Sequence, residues 1–451
     1  MGLFFGTDGL RGEFMRDISP EIAYKCGNSL AKTLGNAGKI LIATDTRKSG
    51  DVLALSFASG VMIAGAFVVF VGVCPTAGVS YLAKEKGFDY GVVISASHNP
   101  AEFNGIKIFD KNGKKISDET EREIEKGLLI LQTKQHYDVG CFSCDESLVF
   151  EYVNFLKNTA KNELENGKDF AGLKIVIDSA NGASSKIAGK IFSELGATVI
   201  QIADQPNGTN INRGVGAVHI SNLQKHVLQH HADIGFAYDG DSDRVVAVSR
   251  DGKIVDGDQF VYIFARDYLE KSKLKNLKVV GTVLTNFGIE KALNEIKIEL
   301  LRADVGDRFV SKMLEENELL IGGEPAGHVF VCDKLQTGDG ILNSLLLTCL
   351  CVNKNKRIDD LVCQTVYCQK NSNIKVKNKN AIIKNEELLK EISNKNLEMN
   401  SCGRLVVRAS GTEPVIRIMV ESEDEKLADY ALESLEKLIK KIDTRGDLCV
   451  E

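Results

Sequence analysis

"VLALSFASGVMIAGAFVVFVGV", Val52 to Val73, carries no charge and is long enough to span a bilayer, so its reading decides the fold. Its composition changes part-way. "LALSFASGVMIAG" has helical character and ends at Gly65, whereas "AFVVFVGV" is β-branched and Pro75 follows soon after. A helix that stops and gives way to a short strand is a buried α/β unit, not a membrane span. The same alternation continues on both sides. Strands are expected at "KILIATDT", "YGVVISAS", "KIVIDSANG", "ATVIQIAD", "IGFAYDG", "VVGTVL" and "LLIGGEPAG". Helices fall between them, such as "SPEIAYKCGNSLAKTLG", which opens Ser-Pro, and "SSKIAGKIFSELG", which ends in Gly. That rhythm predicts α/β layers with largely parallel sheets.

A chain of 451 residues with 43% hydrophobic content is too long for one core, and at roughly 100–200 residues per domain it holds about three or four. The amphipathic "ETEREIEKGLLILQ" closes a first unit. Further borders fall at the hairpin-like "SRDGKIVDGD" and near "YCQKNSN", ahead of a small C-terminal α+β unit. The expected domains are 1–145, 146–252, 253–368 and 369–451.

A net charge of −6 without a basic stripe argues against nucleic acid as a partner. Eleven cysteines, odd in number and often set in apolar runs, read as reduced core thiols. The one tight pair, Cys141 and Cys144, is a lone CxxC and only weak support for zinc or redox work. No secretory signal precedes "FFGTDGLRG", and the sixth residue is not the Ser or Thr that myristoylation wants. The expectation is a cytoplasmic chain with no membrane partner.

In α/β units the loops at the carboxyl ends of strands hold ligands, and four such loops here are rich in chemistry. In "GVVISASHNP", Ser95 and Ser97 share a face if the chain is extended, with His98 beside them; Lys107 lies in the next strand-like run. A hydroxyl with Lys and His nearby suits a phosphate acceptor. Local chemistry does not choose between the two serines, and an Asn-Pro turn with capping serines is the plainer alternative. In "YDGDSDRVVAVS", Asp239, Asp241 and Asp243 crowd together between two strands, a costly arrangement without a cation, and all-oxygen ligation suits a hard ion such as Mg²⁺. An EF-hand is the closest rival, but its sixth place holds Arg244 and its twelfth Arg250. In "IGGEPAGHV", Gly323 lets backbone approach a ligand while Glu324 and His328 offer an acceptor and a titratable group. In "RLVVRASGTEPVIRIMV", Arg408, Ser410, Gly411 and Thr412 form a plausible phosphate cradle, with Arg417 on the returning strand. A Gly-rich turn and a plain hairpin are the respective alternatives.

As a set and in this order, "SASHNP", "DGDSDR", "GEPAGH" and "RASGTEP" resemble the α-D-phosphohexomutase superfamily over nearly the whole chain. Within it the chain looks most like the bacterial phosphoglucosamine mutases, on "FGTDGLRG", "NGTNIN", "TVLTNFGIEKAL", "DVGDRFV" and "TGDGI". The resemblance implies four domains around a central cleft: three similar mixed α/β domains and a smaller C-terminal α+β domain. It implies one Mg²⁺ on Asp239, Asp241, Asp243 and a phosphorylated Ser97, with a sugar 1,6-bisphosphate as primer. It implies that glucosamine 6-phosphate and glucosamine 1-phosphate interconvert on the way to UDP-N-acetylglucosamine and cell wall. Lys107 matches the general acid/base, with His98, Arg11 and His328 beside the chemistry. Glu324, Gly323 and Arg244 match substrate positions, and Arg408, Ser410, Gly411, Thr412 and Arg417 the cradle for the phosphate not in transfer. The resemblance allows a homodimer.

One loop departs from the pattern. The family's Gly-Glu-Gln-Ser-Gly-His is "GEPAGH" here, so Ala326 removes a hydroxyl expected to bond the sugar and Pro325 deletes an amide donor. "NRGVGAVH" also lacks an expected Cys-Gly-Ser. A mutase for glucose or mannose phosphates, and a non-catalytic sugar-phosphate sensor, therefore stand as alternatives.

Overall fold

In the computed structural model, the run from Val52 to Val73 breaks where its composition changes, into helix Gly50–Ile63 and strand Phe67–Val73. No helix among the described residues is long and apolar enough to cross a membrane. The structure describes residues 5–6, 8–35, 38–129, 138–274, 276–399, 402–410 and 414–445. Helix Pro20–Thr33 begins at Ser19, whose hydroxyl caps the Ile22 N–H at 3.3 Å. It packs closely on Gly50–Ile63 because both carry a glycine at the crossing. A Cβ at Gly27 would stand 2.2 Å from the Phe57 carbonyl oxygen, and one at Gly60 2.0 Å from that of Tyr24.

The chain forms two compact units. The first comprises Met1–Leu274 with Gly306–Val362, the second Lys275–Val305 with Cys363–Glu451. The expected third domain, 253–368, thus contributes to both.

In the first unit, strands Lys39–Thr44, Phe67–Val73 and Tyr90–Ile94 run parallel, as the α/β alternation implies. Strand Phe103–Asp110 instead returns antiparallel to Tyr90–Ile94, and Gly9–Glu13 runs antiparallel to Phe103–Asp110. The sheet is therefore mixed, which corrects the largely parallel expectation. The link 95–102 is too short for a crossover of roughly a dozen residues, so the strand must reverse. A second sheet repeats the pattern: Lys174–Asp178, Thr198–Ile202 and Ile234–Tyr238 are parallel, and Val245–Ser249 is antiparallel to Ile234–Tyr238. Strand Ile254–Val255 completes that sheet by pairing with Val245–Ser249, so both arms of the "SRDGKIVDGD" hairpin lie in one sheet. Strands Ile321–Gly323 and Val329–Val331 form a third hairpin in the first unit.

In the second unit, Lys278–Thr282 and Glu299–Ala303 pair in parallel. A three-stranded antiparallel sheet has Val415–Ser422 between Cys368–Lys375 and Gly403–Ala409. Residues of helices Glu386–Met399 and Glu425–Arg445 complete its apolar core with Leu388, Ala428, Ala431, Leu435 and Ile439.

Candidate active site

Ser97 lies just past strand Tyr90–Ile94 with φ of +51°, a left-handed conformation that a non-glycine residue adopts only when its surroundings hold it. Two side chains do the holding. Ser95 Oγ accepts the Ser97 N–H at 2.9 Å and donates to Asp45 Oδ2 at 2.6 Å. Arg47, 3% exposed, donates from Nε to Asp45 at 2.8 Å. Its remaining N–H groups reach the carbonyls of Ser97 at 2.9 Å, Asn99 at 2.8 Å and Phe103 at 2.9 Å, and that of Pro100. Asn212 Nδ2 adds bonds to the Ser97 and Asn99 carbonyls at 2.8 and 3.0 Å.

The turn at Ser97 takes the two serines off the shared face that an extended chain would give them. Ser95 is tied into the scaffold, while Ser97 Oγ donates to Asp239 Oδ2 at 2.6 Å and stands 3.2 Å from His98 Nδ1. Burial, with Arg244 and Arg11 nearby, pulls the His98 imidazole down to about 4, so it is neutral at pH 7.

Asp239, Asp241 and Asp243 occupy the tight link between strands Ile234–Tyr238 and Val245–Ser249, with Ser242 at φ +62°. One oxygen from each carboxylate lies within 4.8 Å of the other two, and all three residues are buried. Asp241 Oδ2 accepts from Thr76 Oγ1 at 2.5 Å and Lys107 Nζ at 2.7 Å; Asp243 Oδ2 accepts from Lys107 at 2.8 Å. The other oxygens, Asp241 Oδ1 and Asp243 Oδ1, are buried without a hydrogen bond. Burial, then the charges of Asp243 and Asp241, push Asp239 up to about 8. Three converging carboxylates with free lone pairs suit a hard divalent cation.

Lys107 reaches this cluster by strand register. It pairs with Val93, while its neighbours Ile106 and Gly105 pair with Leu10 and Arg11, so Gly9–Glu13 runs alongside. Burial alone would lower its pKa, but Asp241, Asp243 and Asp8 hold the ammonium well above its usual range. Asp8 lies 3.1 Å from Lys107 and 2.7 Å from Lys115, and is also paired with Arg11. Burial works to raise Asp8, yet those three cations hold it far below the usual carboxylate range.

The turn 324–328 joins strands Ile321–Gly323 and Val329–Val331 and is stitched to the metal loop through backbone. The Gly327 carbonyl accepts the Val245 N–H at 3.0 Å, and a Cβ at Gly327, whose φ is +95°, would lie 2.3 Å from the Val245 carbonyl oxygen. Gly323 is similarly tight, a Cβ there meeting the His328 carbonyl at 3.0 Å. His328 has Nδ1 3.6 Å from Asp243 and Nε2 3.8 Å from Asp307. Burial would lower its pKa; Asp243, Asp307 and Glu324 raise it, so the charged form is favoured. Burial raises Glu324, whose Oε1 has no hydrogen bond. Burial would lower Arg244 too, but Asp239 and Asp243 raise it; separately, its backbone N–H donates to Asp239 Oδ1 at 3.2 Å.

The first unit therefore brings together Arg11, Ser97, His98, Lys107, Asp239, Asp241, Asp243, Arg244, Glu324 and His328. Sequence reasoning missed Asp8, Asp45, Arg47, Thr76, Lys115 and Asp307. A signal existed for Asp45 and Arg47, which follow strand Lys39–Thr44 at its ligand-facing end in "TDTRKSG".

In the second unit, Arg408 and Arg417 are direct partners in the antiparallel pair. Like charges set opposite each other are unfavourable without an anion. Burial and then Arg417 lower the Arg408 pKa. Ser410, 3% exposed, closes the hairpin by donating its N–H to Val415 at 2.8 Å. Gly411 and Thr412 lie outside the described residues. Cys141 and Cys144 are exposed free thiols, Cys144 at the end of strand Phe142–Cys144. They form no metal cluster; among the described residues that distinction is the aspartate triad's.

Four family models match in order: phosphoglucomutase/phosphomannomutase α/β/α domains I, II and III at residues 2–134, 150–252 and 256–367, and the C-terminal domain at 372–437. The chain belongs to the α-D-phosphohexomutase superfamily. Its curated relatives include the phosphoglucosamine mutase of Carboxydothermus hydrogenoformans, 42% identical over 98% of this chain and 100% of that one. That of Geobacillus kaustophilus is 39% identical over 98% and 99%. Among solved structures, a phosphoglucomutase/phosphomannomutase family protein from Burkholderia thailandensis superposes with a TM-score of 0.78 at 22% identity, covering 97% of each chain. An Aspergillus fumigatus N-acetylphosphoglucosamine mutase, in complex with GlcNAc-6P and magnesium, has a TM-score of 0.68 at 17% identity, covering 98% and 96%. This phosphohexomutase is thus an isomerase, with three α/β/α domains followed by a C-terminal domain.

Proposed function

We propose that this phosphohexomutase interconverts glucosamine 6-phosphate and glucosamine 1-phosphate through a phosphoserine enzyme and a 1,6-bisphosphate, toward UDP-N-acetylglucosamine. The observation that carries the reading is the full-length likeness to phosphoglucosamine mutases. Ser97 is the phosphate carrier, a role supported by its 2.6 Å bond to Asp239 and the tethering of Ser95 to Asp45. One Mg²⁺ per chain on Asp239, Asp241, Asp243 and the Ser97 phosphate would neutralise charge on the phosphoryl group in transit. Lys107 starts as the charged acid, since three carboxylates keep its proton in place, and exchanges it with the sugar hydroxyl. His98, neutral at pH 7, places Nδ1 3.2 Å from the Ser97 oxygen, where its ring N–H donates to it. Arg11 and Arg244 steady the phosphoryl oxygens, and His328 donates to the substrate beside them. Glu324 accepts from sugar hydroxyls, with the Gly323 backbone close by.

Arg408, Ser410, Gly411, Thr412 and Arg417 grip the phosphate not being transferred. The intermediate must turn over between half-reactions, so this grip has to accept either phosphate, which generic guanidinium and hydroxyl contacts do. A sugar 1,6-bisphosphate primes Ser97. We further place the domain borders at 145/146, 252/253 and 368/369, and infer a cytoplasmic protein that works as a homodimer.

Pro325 and Ala326 favour one second reading, a mutase for glucose or mannose phosphates. The test is kcat/KM for glucosamine, glucose and mannose 6-phosphates with a bisphosphate primer. Glucosamine 6-phosphate should be preferred; a preference for either neutral sugar would replace the reading. No turnover on any, with serine phosphate intact, would make the chain a sensor.

A further inference from the structure

Thr76 is buried and opens helix Thr76–Glu85, which follows closely on strand Phe67–Val73. The link between them is fixed. Cys74 donates its N–H to the Thr44 carbonyl at 3.1 Å, and Pro75, at the helix cap, holds φ −55° and ψ 148°. Strand ends of this kind deliver ligand-facing groups in α/β units, and here the group delivered is a hydroxyl.

That hydroxyl and its own backbone meet a single residue. The Thr76 N–H donates to the Asp241 main-chain carbonyl at 3.0 Å, and Thr76 Oγ1 donates to Asp241 Oδ2 at 2.5 Å. A bridge from a residue's main chain to its own carboxylate leaves that side chain little freedom to rotate. Lys107 Nζ approaches the same Oδ2 at 2.7 Å from the neighbouring strand. Oδ2 is thereby occupied, and Oδ1, buried without a hydrogen bond, is the oxygen left to face a cation.

The donors that hold the three carboxylates differ in how they fare during phosphate transfer. Asp239 Oδ2 accepts from Ser97 Oγ at 2.6 Å, and an oxygen that carries a phosphate in place of its proton no longer donates. Asp243 Oδ2 accepts from Lys107 at 2.8 Å, whose proton is the one exchanged with the sugar. The Thr76 hydroxyl is neutral throughout and takes no part in the transfer.

We infer that Thr76 is a positioning residue for the cation: it holds Asp241 by main chain and carboxylate together, so that Oδ1 keeps its aim whether or not Ser97 carries phosphate. The inference rests on the reading of Asp239, Asp241 and Asp243 as the Mg²⁺ site. Groups that hydrogen-bond a metal-ligating carboxylate set its orientation, and with it the affinity for the ion.

The test is calorimetric titration of the full chain with Mg²⁺ at a fixed pH, with and without phosphate on Ser97, beside steady-state kinetics. Thr76→Val keeps the volume and removes the donor; Thr76→Ala removes it without pressing a methyl group on the carboxylate; Thr76→Ser keeps the donor. The Val and Ala variants should each bind Mg²⁺ about 10–100-fold more weakly, in both phosphorylation states. At saturating Mg²⁺ their kcat should remain lowered, while KM for the sugar phosphate stays within about twofold of native. Thr76→Ser should restore Mg²⁺ affinity and kcat together. Native Mg²⁺ affinity in the Val and Ala variants would overturn the inference. So would a Ser variant as weak as the Ala one, which would assign the effect to the lost methyl, or a KM that rises in step with the loss of Mg²⁺ affinity, which would mark a general disturbance of the site. A native chain that binds no Mg²⁺ in either state would overturn the cation reading itself, and this inference with it.

Discussion

Ser95 and Ser97 differ in what their hydroxyls touch, and that difference predicts different losses. Ser97→Ala removes the serine oxygen that bonds the Asp239 carboxylate, so turnover should fall to background and intact mass should show no phosphate uptake from a bisphosphate. Ser95→Ala leaves Asp45 and the Ser97 N–H each short of a partner, at a cost of about 1–3 kcal/mol of stability, with phosphorylation retained. The opposite pattern would sink the assignment of Ser97. Arg47 is the residue that keeps the carrier loop in shape, because one rigid guanidinium reaches four carbonyls and Asp45 at once. Arg47→Met strands the buried Asp45 carboxylate, and the unfolding free energy should drop by roughly 3–5 kcal/mol in denaturant titrations. Arg47→Lys keeps the charge but not the fork. It should retain more of the stability, yet lower kcat more than it raises KM; kinetics indistinguishable from the native chain would remove Arg47 from the site's architecture.

At the scale of elements, the hairpins decide what could be read in advance. The aspartate loop was legible because its three carboxylates alternate within five consecutive residues, and repulsion at that spacing demands a cation whatever the fold. The α/β rhythm was legible because period and length separate helix from strand even in the uncharged run from Val52 to Val73. Strand direction was not, because a reversal at 95–102 depends on chain reach rather than on composition. Nor was Thr76, whose partner is a carboxylate far along the chain. "GEPAGH" was half legible. Its glycines suggested ligand approach, whereas Gly327 is needed for approach to Val245 of the metal hairpin. Gly327→Ala should therefore cost about 1–3 kcal/mol through its positive φ alone, and more from the 2.3 Å contact. Both the melting temperature and metal affinity should fall. Loss of sugar affinity with metal affinity intact would show that the two hairpins are not coupled.

Across the whole first unit, segments from Asp8 to His328 converge on one highly charged site, and its electrostatics belong to the assembly rather than to any one loop. Four carboxylates, at Asp8, Asp239, Asp241 and Asp243, face Lys107 and Arg244, and the cluster sheds excess negative charge by keeping a proton on Asp239, which burial and its neighbours raise to about 8. A carboxyl whose folded pKa lies above its unfolded value binds its proton more tightly in the native state. Its contribution to stability is full below about pH 4 and is lost as pH rises through 8. With divalent cations chelated, the melting temperature should therefore decline between pH 6 and 8.5. Asp239→Asn, which carries no titrating proton there, should flatten that decline. Cation binding needs the ionised carboxylate, so Mg²⁺ must displace the proton at pH 7, and its affinity should climb by up to about tenfold per pH unit until pH 8 and level off above. Calorimetry in buffers of different ionisation enthalpy reads the released proton directly. Chelation should also stop phosphate transfer to Ser97, and restoring Mg²⁺ should recover it. A Mg²⁺ affinity independent of pH from 6.5 to 8, with no proton released, would mean that Asp239 is already ionised and that the cluster does not hold a proton there.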